Sequence, residues 1–191
     1  PTSLKKYLPL MMTAAGTIPP SSILVLGAGV AGIQAIATAK RLGAEVTGYD
    51  IRLAAGEQIE SLGAKFISDE VPEDSETSGG YAKEQSKDKQ SSQLEFLKEY
   101  ILKSDAVIST AAIPGRKAPI LIEKNTVEQM KAGSVIVDIS APSGGNCEST
   151  ILGESVNING TIVHGPKNLS SEMAYDASLV YSKNIYGLLE I

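Results

Sequence analysis

An α/β protein with a doubly wound parallel sheet is the expected architecture. Short apolar runs alternate with stretches of helical period, and glycines punctuate the junctions. The turn Gly27-Ala28-Gly29-Val30-Ala31-Gly32 also follows the first apolar run and opens the first helix. The 191 residues, 42% apolar and 20% charged, suffice for one core with appendages. A net charge of −5 without a basic stripe argues against nucleic acid as a partner. No apolar run approaches the ~20 residues of a bilayer span, so no direct membrane insertion is expected. The single Cys147 and single His164 cannot build an internal disulfide or a structural zinc site.

The elements follow in order. Ser22 to Leu26 reads as a strand buried on both faces, and Val30 to Leu42 as an Ala-rich helix stopped by Gly43. Glu45 to Asp50 is the next strand, Ala54 to Leu62 a second helix ending at Gly63, and Lys65 to Ile67 a short strand. Ser68 to Gly80 is acidic, contains Pro and lacks a period, which reads as a long exposed loop. A helix at Leu94–Lys103, a strand at Ala106–Ser109, a helix at Asn125–Met130, a strand at Ser134–Asp138 and a final strand near Thr161–Val163 complete the alternation. Parallel pairing with right-handed crossovers follows. Leu4 to Thr13, interrupted by Pro9, and the helical Met173 to Leu189 lie outside that pattern and read as connectors. An apolar terminal helix of this kind normally covers something. The expected division is a connector at 1–18, a dinucleotide-binding domain at 19–165 and a C-terminal helical segment at 166–191.

The glycine turn carries the chemistry. Gly27 permits a tight turn, Gly29 lets a pyrophosphate approach the backbone, and Gly32 allows close packing of helix on strand. The helix start at Val30 supplies free N–H groups and about half a positive charge, so a local dipole outweighs the negative net charge. Asp50, 18 residues beyond Gly32 at the end of the second strand, suits the two hydroxyls of an adenosine ribose and favours NAD over NADP, whose 2′-phosphate would be a like-charge neighbour. Two roles stay open for Arg52: holding the outside of the adenine pocket, or tolerating that phosphate. An ordinary strand-to-helix turn, and FAD or S-adenosylmethionine sites, share parts of the pattern; the strand–turn–helix–strand–Asp order favours NAD. Thr110, Ala111, Ala112 and Ile113, after the fourth strand, and Asp138 to Asn146, after the fifth, are expected to face the nicotinamide half.

Acid–base chemistry is thin. His164 reads as structural or exposed, Asp138 as a cap for backbone N–H groups, and Cys147 as an inert core thiol. Direct hydride passage between two nicotinamides needs neither acid nor base.

Several motifs then carry a family resemblance: Met12-Thr13-Ala14-Ala15-Gly16-Thr17-Ile18-Pro19-Pro20, the glycine turn, Tyr49-Asp50-Ile51-Arg52, Gly79-Gly80-Tyr81-Ala82-Lys83-Glu84, Ala112-Ile113-Pro114-Gly115-Arg116, Gly144-Gly145-Asn146-Cys147-Glu148 and Tyr181-Ser182-Lys183-Asn184. Together they resemble the NAD(H)-binding component of proton-translocating NAD(P) transhydrogenase, over nearly the whole chain. The resemblance implies that NADH bound here gives its hydride to NADP on a separate NADP(H)-binding domain, coupled through a membrane domain to proton translocation. It implies a homodimeric parent whose soluble domain faces the cytoplasm or the mitochondrial matrix. By the same resemblance the glycine turn, with Gly27, Ala28, Gly29, Val30 and Gly32, and Asp50 hold the dinucleotide, and Ile51 and Arg52 beside Asp50 are further candidate contacts. Gly80, Tyr81 and Ala82 belong to a mobile loop closing over the adenosine side, and the segment Ala111 to Gly115 lies by the nicotinamide. The family's Arg, Gln and Asp loop belongs to a preceding domain, of which Pro1 to Thr17 is at most a remnant, so the chain looks like a fragment.

The sequence departs from the family at Gln85, where Met is common, at Pro142-Ser143, where Glu-Asn is common, and at Ser170-Ser171-Glu172-Met173. An alanine dehydrogenase-like oxidoreductase and a non-catalytic NAD-binding module are the competing readings.

Overall fold

The computed structural model describes residues 3–69 and 87–190, with only the backbone course given for 87–89. In chain order, β1 (Met11–Thr13) and β2 (Gly16–Ile18) form a small antiparallel hairpin. Then come β3 (Ser22–Leu26), α1 (Val30–Arg41), β4 (Glu45–Tyr49), α2 (Ala55–Ser61) and β5 (Lys65–Ile67). The second half has α3 (Lys87–Lys103), β6 (Ala106–Ser109), α4 (Lys124–Gln129), β7 (Val135–Asp138), β8 (Ser155–Ile158), β9 (Thr161–His164), α5 (Leu169–Glu172) and α6 (Ala174–Leu189). Seven strands make one sheet in the order β5-β4-β3-β6-β7-β9-β8, parallel except for β8.

The sheet is covered on both faces, which explains why its central strands are apolar without alternation. Ile23 and Val25 of β3 join Val46, Ile36, Ala39 and Ile59 under α1 and α2. Leu24 and Leu26 face the other way, with Leu97 and Ile101 of α3, Val127 of α4, Val107 and Ile136. The chain leaves β3 toward one edge and resumes at β6 toward the other. The strand order therefore reverses between them, and a crevice opens at their C-terminal ends.

Besides the β1–β2 hairpin, three features differ from the sequence expectation. The first is an additional edge strand, β8, joined to β9 by Asn159 and Gly160, both at positive φ (50° and 89°), so the pair forms a two-residue hairpin turn. The second is α3, which begins at Lys87 rather than Leu94, because its first turns are polar and carry no apolar period. The third concerns the leading segment, which packs against the sheet. Leu4 is buried, Lys6 Nζ pairs with Asp105 Oδ1 at 2.7 Å, Ser21 Oγ donates to the Tyr7 carbonyl at 2.6 Å, and Ser21 N donates to the Leu8 carbonyl at 3.0 Å. Helix α6 behaves otherwise. None of its residues is buried, and Tyr175 and Leu189 are 85% and 79% exposed. The long loop expected at Ser68–Gly80 lies, beyond Asp69, outside the described residues. Among the described residues no helix is long and apolar enough to cross a membrane.

Candidate functional site

A cleft of about 1120 Å³ occupies the crevice between the ends of β3 and β6. One wall is the glycine turn and the start of α1, with Gly27, Ala28, Gly29 and Val30; the floor on the β4 side is Tyr49, Asp50, Ile51 and Arg52. The opposite wall is Thr110, Ala111, Ala112 and Ile113, continuing through Arg116 to Leu121. The sequence-predicted residues of these three segments are thus brought together around one cavity. Gly80, Tyr81 and Ala82 fall outside the described residues. Gly32 does not line the cleft but lies behind the turn.

The three glycines do different work. Gly27 has φ +95°, and a Cβ there would come within 3.0 Å of Ala111 and of Thr110 Oγ1. Its N–H donates to the Tyr49 carbonyl at 2.8 Å, and its carbonyl accepts from Thr110 Oγ1 at 2.9 Å, so the turn is tied to both neighbouring strands. At Gly32 a Cβ would collide with the Gly27 carbonyl oxygen. Gly29 is the contrast. Its φ of −72° and ψ of −173° suit any residue, and a Cβ would meet no protein atom within 4 Å. Nothing inside the protein requires glycine at 29. The N-terminus of α1 has no side-chain cap and no acidic residue in its first turn, so no side chain of the helix itself offsets its dipole. Val30, 93% exposed, stands at the rim.

Asp50 is 6% exposed and fully engaged. Its Oδ2 accepts from the Ala28 N–H at 2.7 Å and from Arg52 Nη2 at 3.0 Å; its Oδ1 accepts from the Arg52 N–H and Nε, both at 2.9 Å. Arg52 Nη2 also reaches the Ala28 carbonyl at 3.4 Å. One carboxylate thus joins the end of β4 to the glycine turn.

Sequence reading misses some of the lining. Gln90 and Gln93 come from the polar first turns of α3, and Tyr49 precedes the aspartate. Gln93 Nε2 donates to the Tyr49 hydroxyl at 2.6 Å, and that hydroxyl donates to Asp69 Oδ1 at 3.0 Å. Burial, aided by the Asp69 charge and only partly offset by the Gln93 donor, holds the Tyr49 phenol protonated well above its ordinary range. The Ala118–Leu121 wall is missed too, since it falls between the expected elements.

The expectation that Asp138 to Asn146 line the crevice is corrected. This loop stands behind the 111–121 wall and holds it. Asn146 Nδ2 donates to the Ala111 and Pro119 carbonyls at 2.9 and 2.8 Å, and Ser140 Oγ donates to the Ala111 carbonyl at 2.9 Å. The reason is Asp138. Completely buried, it collects Ser109 Oγ and the Ser140 N–H on Oδ1, and the Asn146 and Cys147 N–H groups and Thr150 Oγ1 on Oδ2, at 2.7 to 3.1 Å. These bonds fold the loop back on itself. Asp138 is the backbone cap anticipated from the sequence. His164 sits apart, with Nδ1 2.5 Å from Ser155 Oγ and Nε2 3.0 Å from Ser3 Oγ, fastening the leading segment to the β8–β9 edge. Burial pushes the Cys147 thiol up to about 11, as an inert core cysteine requires. Among the described residues no cluster could hold a metal ion.

A doubly wound sheet, a glycine turn into a helix at its switch point and a carboxylate at the end of the adjoining strand define a Rossmann-type nucleotide-binding domain. Comparison with known proteins is more particular. The chain matches the family model "Alanine dehydrogenase/PNT, C-terminal domain" over residues 2–191, and it belongs to that family. It is 53% identical over 184 residues to the first portion of NAD(P) transhydrogenase subunit alpha from Rickettsia prowazekii (strain Madrid E), a match covering 96% of this chain and 48% of that protein. The solved transhydrogenase from Sinorhizobium meliloti superimposes with a TM-score of 0.81 at 44% identity, over 97% of this chain and 48% of that one. A solved L-alanine dehydrogenase gives a TM-score of 0.67 at 26% identity, over 84% and 40%. The resemblance read from the motifs is therefore borne out. The chain spans about half the length of the curated relatives it matches.

Proposed function

We propose that the cleft binds NAD(H), with the pyrophosphate at the N-terminus of α1 and the adenosine ribose at Asp50. The observation that carries this is Gly29: neither its backbone angles nor any packed neighbour demands glycine, whereas a diphosphate lying against the helix start does. The donor set fits the cofactor. The exposed helix start suits two phosphates, the acidic group beside it suits ribose hydroxyls rather than a 2′-phosphate, and the largely apolar Ala111 to Ile113 segment suits a nicotinamide ring. When bound, the nicotinamide supplies a hydride. The protein's own role is to grip, orient and exclude water.

We further propose that the parent protein is a proton-translocating transhydrogenase. This chain presents NADH there to NADP held on a separate domain, in a dimeric assembly attached to a membrane domain on the cytoplasmic or matrix side. The relatives' names support the transhydrogenase part of this reading. Direct hydride exchange asks for no proton transfer.

The test is calorimetric titration of the protein with NADH and NADPH, followed by hydride exchange in the parent protein between NADH and an NADP analogue. NADH is expected to bind at least about tenfold more tightly, through the Asp50 contacts. Equal affinity, or no binding, overturns the site. NADH binding combined with reductive amination of pyruvate overturns only the transhydrogenase role and favours an alanine dehydrogenase.

A further inference from the structure

We propose that Arg52 sets how strongly the site reads the ribose, because its guanidinium competes with the ribose hydroxyls for Asp50. The inference rests on the NAD(H) site proposed above. A carboxylate offers about four acceptor positions, and Asp50 uses four. Two are taken by backbone donors, the N–H groups of Ala28 and Arg52, which the turn geometry fixes. The other two are taken by Arg52 Nε and Nη2, one on each oxygen. A ribose presents two hydroxyls. To accept them, Asp50 must release the two side-chain donors, which are also the only two of the four that can leave without unfolding the turn.

Arg52 is placed for such an exchange. Both residues line the cleft, and the Arg52 side chain is the more exposed of the two, 19% against 7% for Asp50. One of the other Arg52 bonds, to the Ala28 carbonyl, is long at 3.4 Å. A fork on a carboxylate is a strong, oriented contact, so its loss offsets much of what the hydroxyls bring. The site therefore gains less from the ribose hydroxyls than an aspartate with free acceptor positions would. The guanidinium also keeps the buried carboxylate paired until the hydroxyls replace it.

The experiment compares AMP with 2′,3′-dideoxy-AMP, which carry the same phosphate, so any change in phosphate attraction cancels in their affinity ratio. Calorimetry on the protein and on its Arg52→Ala and Arg52→Lys variants is expected to give an AMP preference about tenfold larger in Arg52→Ala, with Arg52→Lys between, since an ammonium cannot fork across both oxygens. A second readout needs no variant. The Arg52 Nε–H resonance of the unaltered protein, protected from exchange, is expected to shift and lose protection on saturation with AMP but not with the dideoxy compound. AMP binding with an unchanged or smaller preference in Arg52→Ala, or an undisturbed Nε–H, overturns the competition and leaves the NAD(H) site standing. Failure of both AMP and NADH to bind the unaltered protein overturns the two together.

Discussion

Gly32 lies against the carbonyl oxygen of Gly27 so closely that no side-chain carbon fits between them. Because Gly29, three residues earlier in the same turn, has open space where its Cβ would stand, the two glycines should respond differently to the same substitution. Gly32→Ala is expected to destabilise the fold by roughly 2 kcal/mol or more, through forced displacement of α1 from β3. Gly29→Ala should leave the melting temperature within a few degrees of the original and weaken NADH binding about tenfold or more. Thermal melts and calorimetry on the pair check this. Equal stability losses in both variants would remove the argument that Gly29 serves a ligand.

Asp50→Asn keeps the shape of the side chain but removes its charge and one acceptor oxygen. Since Arg52 already engages that carboxylate, NADH binding is expected to weaken by about 1–2 kcal/mol rather than more. NADPH should weaken less or improve, as a like charge beside its 2′-phosphate is gone. Parallel titrations with both coenzymes measure the difference.

Acid should loosen the leading segment. Burial opposes ionisation of Asp105, but the Lys6 ammonium and the Ser22 N–H outweigh it and hold the carboxyl below the usual carboxylate range. A depressed folded-state pKa stabilises fully above the unfolded value of about 3.9 and loses that stabilisation as pH falls through the lower folded value. Asp105→Asn is expected to cost roughly 1 kcal/mol at pH 7 and almost nothing at the acid end of that window. Urea unfolding at a series of pH values, on both proteins, would show the two curves converging in acid.

Cys147 should resist modification. With its thiol raised to about 11 by burial, thiolate at pH 8 is roughly two orders of magnitude scarcer than for a free cysteine. Labelling by a disulfide reagent is expected to be slow in buffer and rapid in denaturant, and unaffected by NADH. Fast labelling of the folded protein would show that the thiol is accessible.

What the sequence makes legible is what symmetric burial imposes. Strands covered on both faces, such as Ile23–Leu26 and Val135–Val137, are runs of branched apolar residues, and the glycine turn between strand and helix has few alternatives. What it hides is what long-range contact decides. Strand β8 has an exposed face and only four residues, so its alternation is faint, although the Asn159-Gly160 pair is a usable signal. The hairpin β1–β2 has three-residue strands that are mostly exposed. The first turns of α3 are polar yet bring Gln90 and Gln93 to the cleft, which no local period announces. Asp138 reads as a cap from sequence, but its effect on the loop to Asn146, turning it from lining into support, depends on donors as distant as Ser109 and Thr150.

That reach has a kinetic meaning. One carboxylate closes a circuit across more than forty residues, from Ser109 at the end of β6 to Thr150 beyond the cysteine, and the circuit cannot shut until both strands beside it are seated. Loop closure of this length comes late in assembly, after local helices have formed. In refolding experiments the helical dichroism should therefore return first and coenzyme-dependent fluorescence last, so that competence to bind becomes a signal that the chain has finished folding.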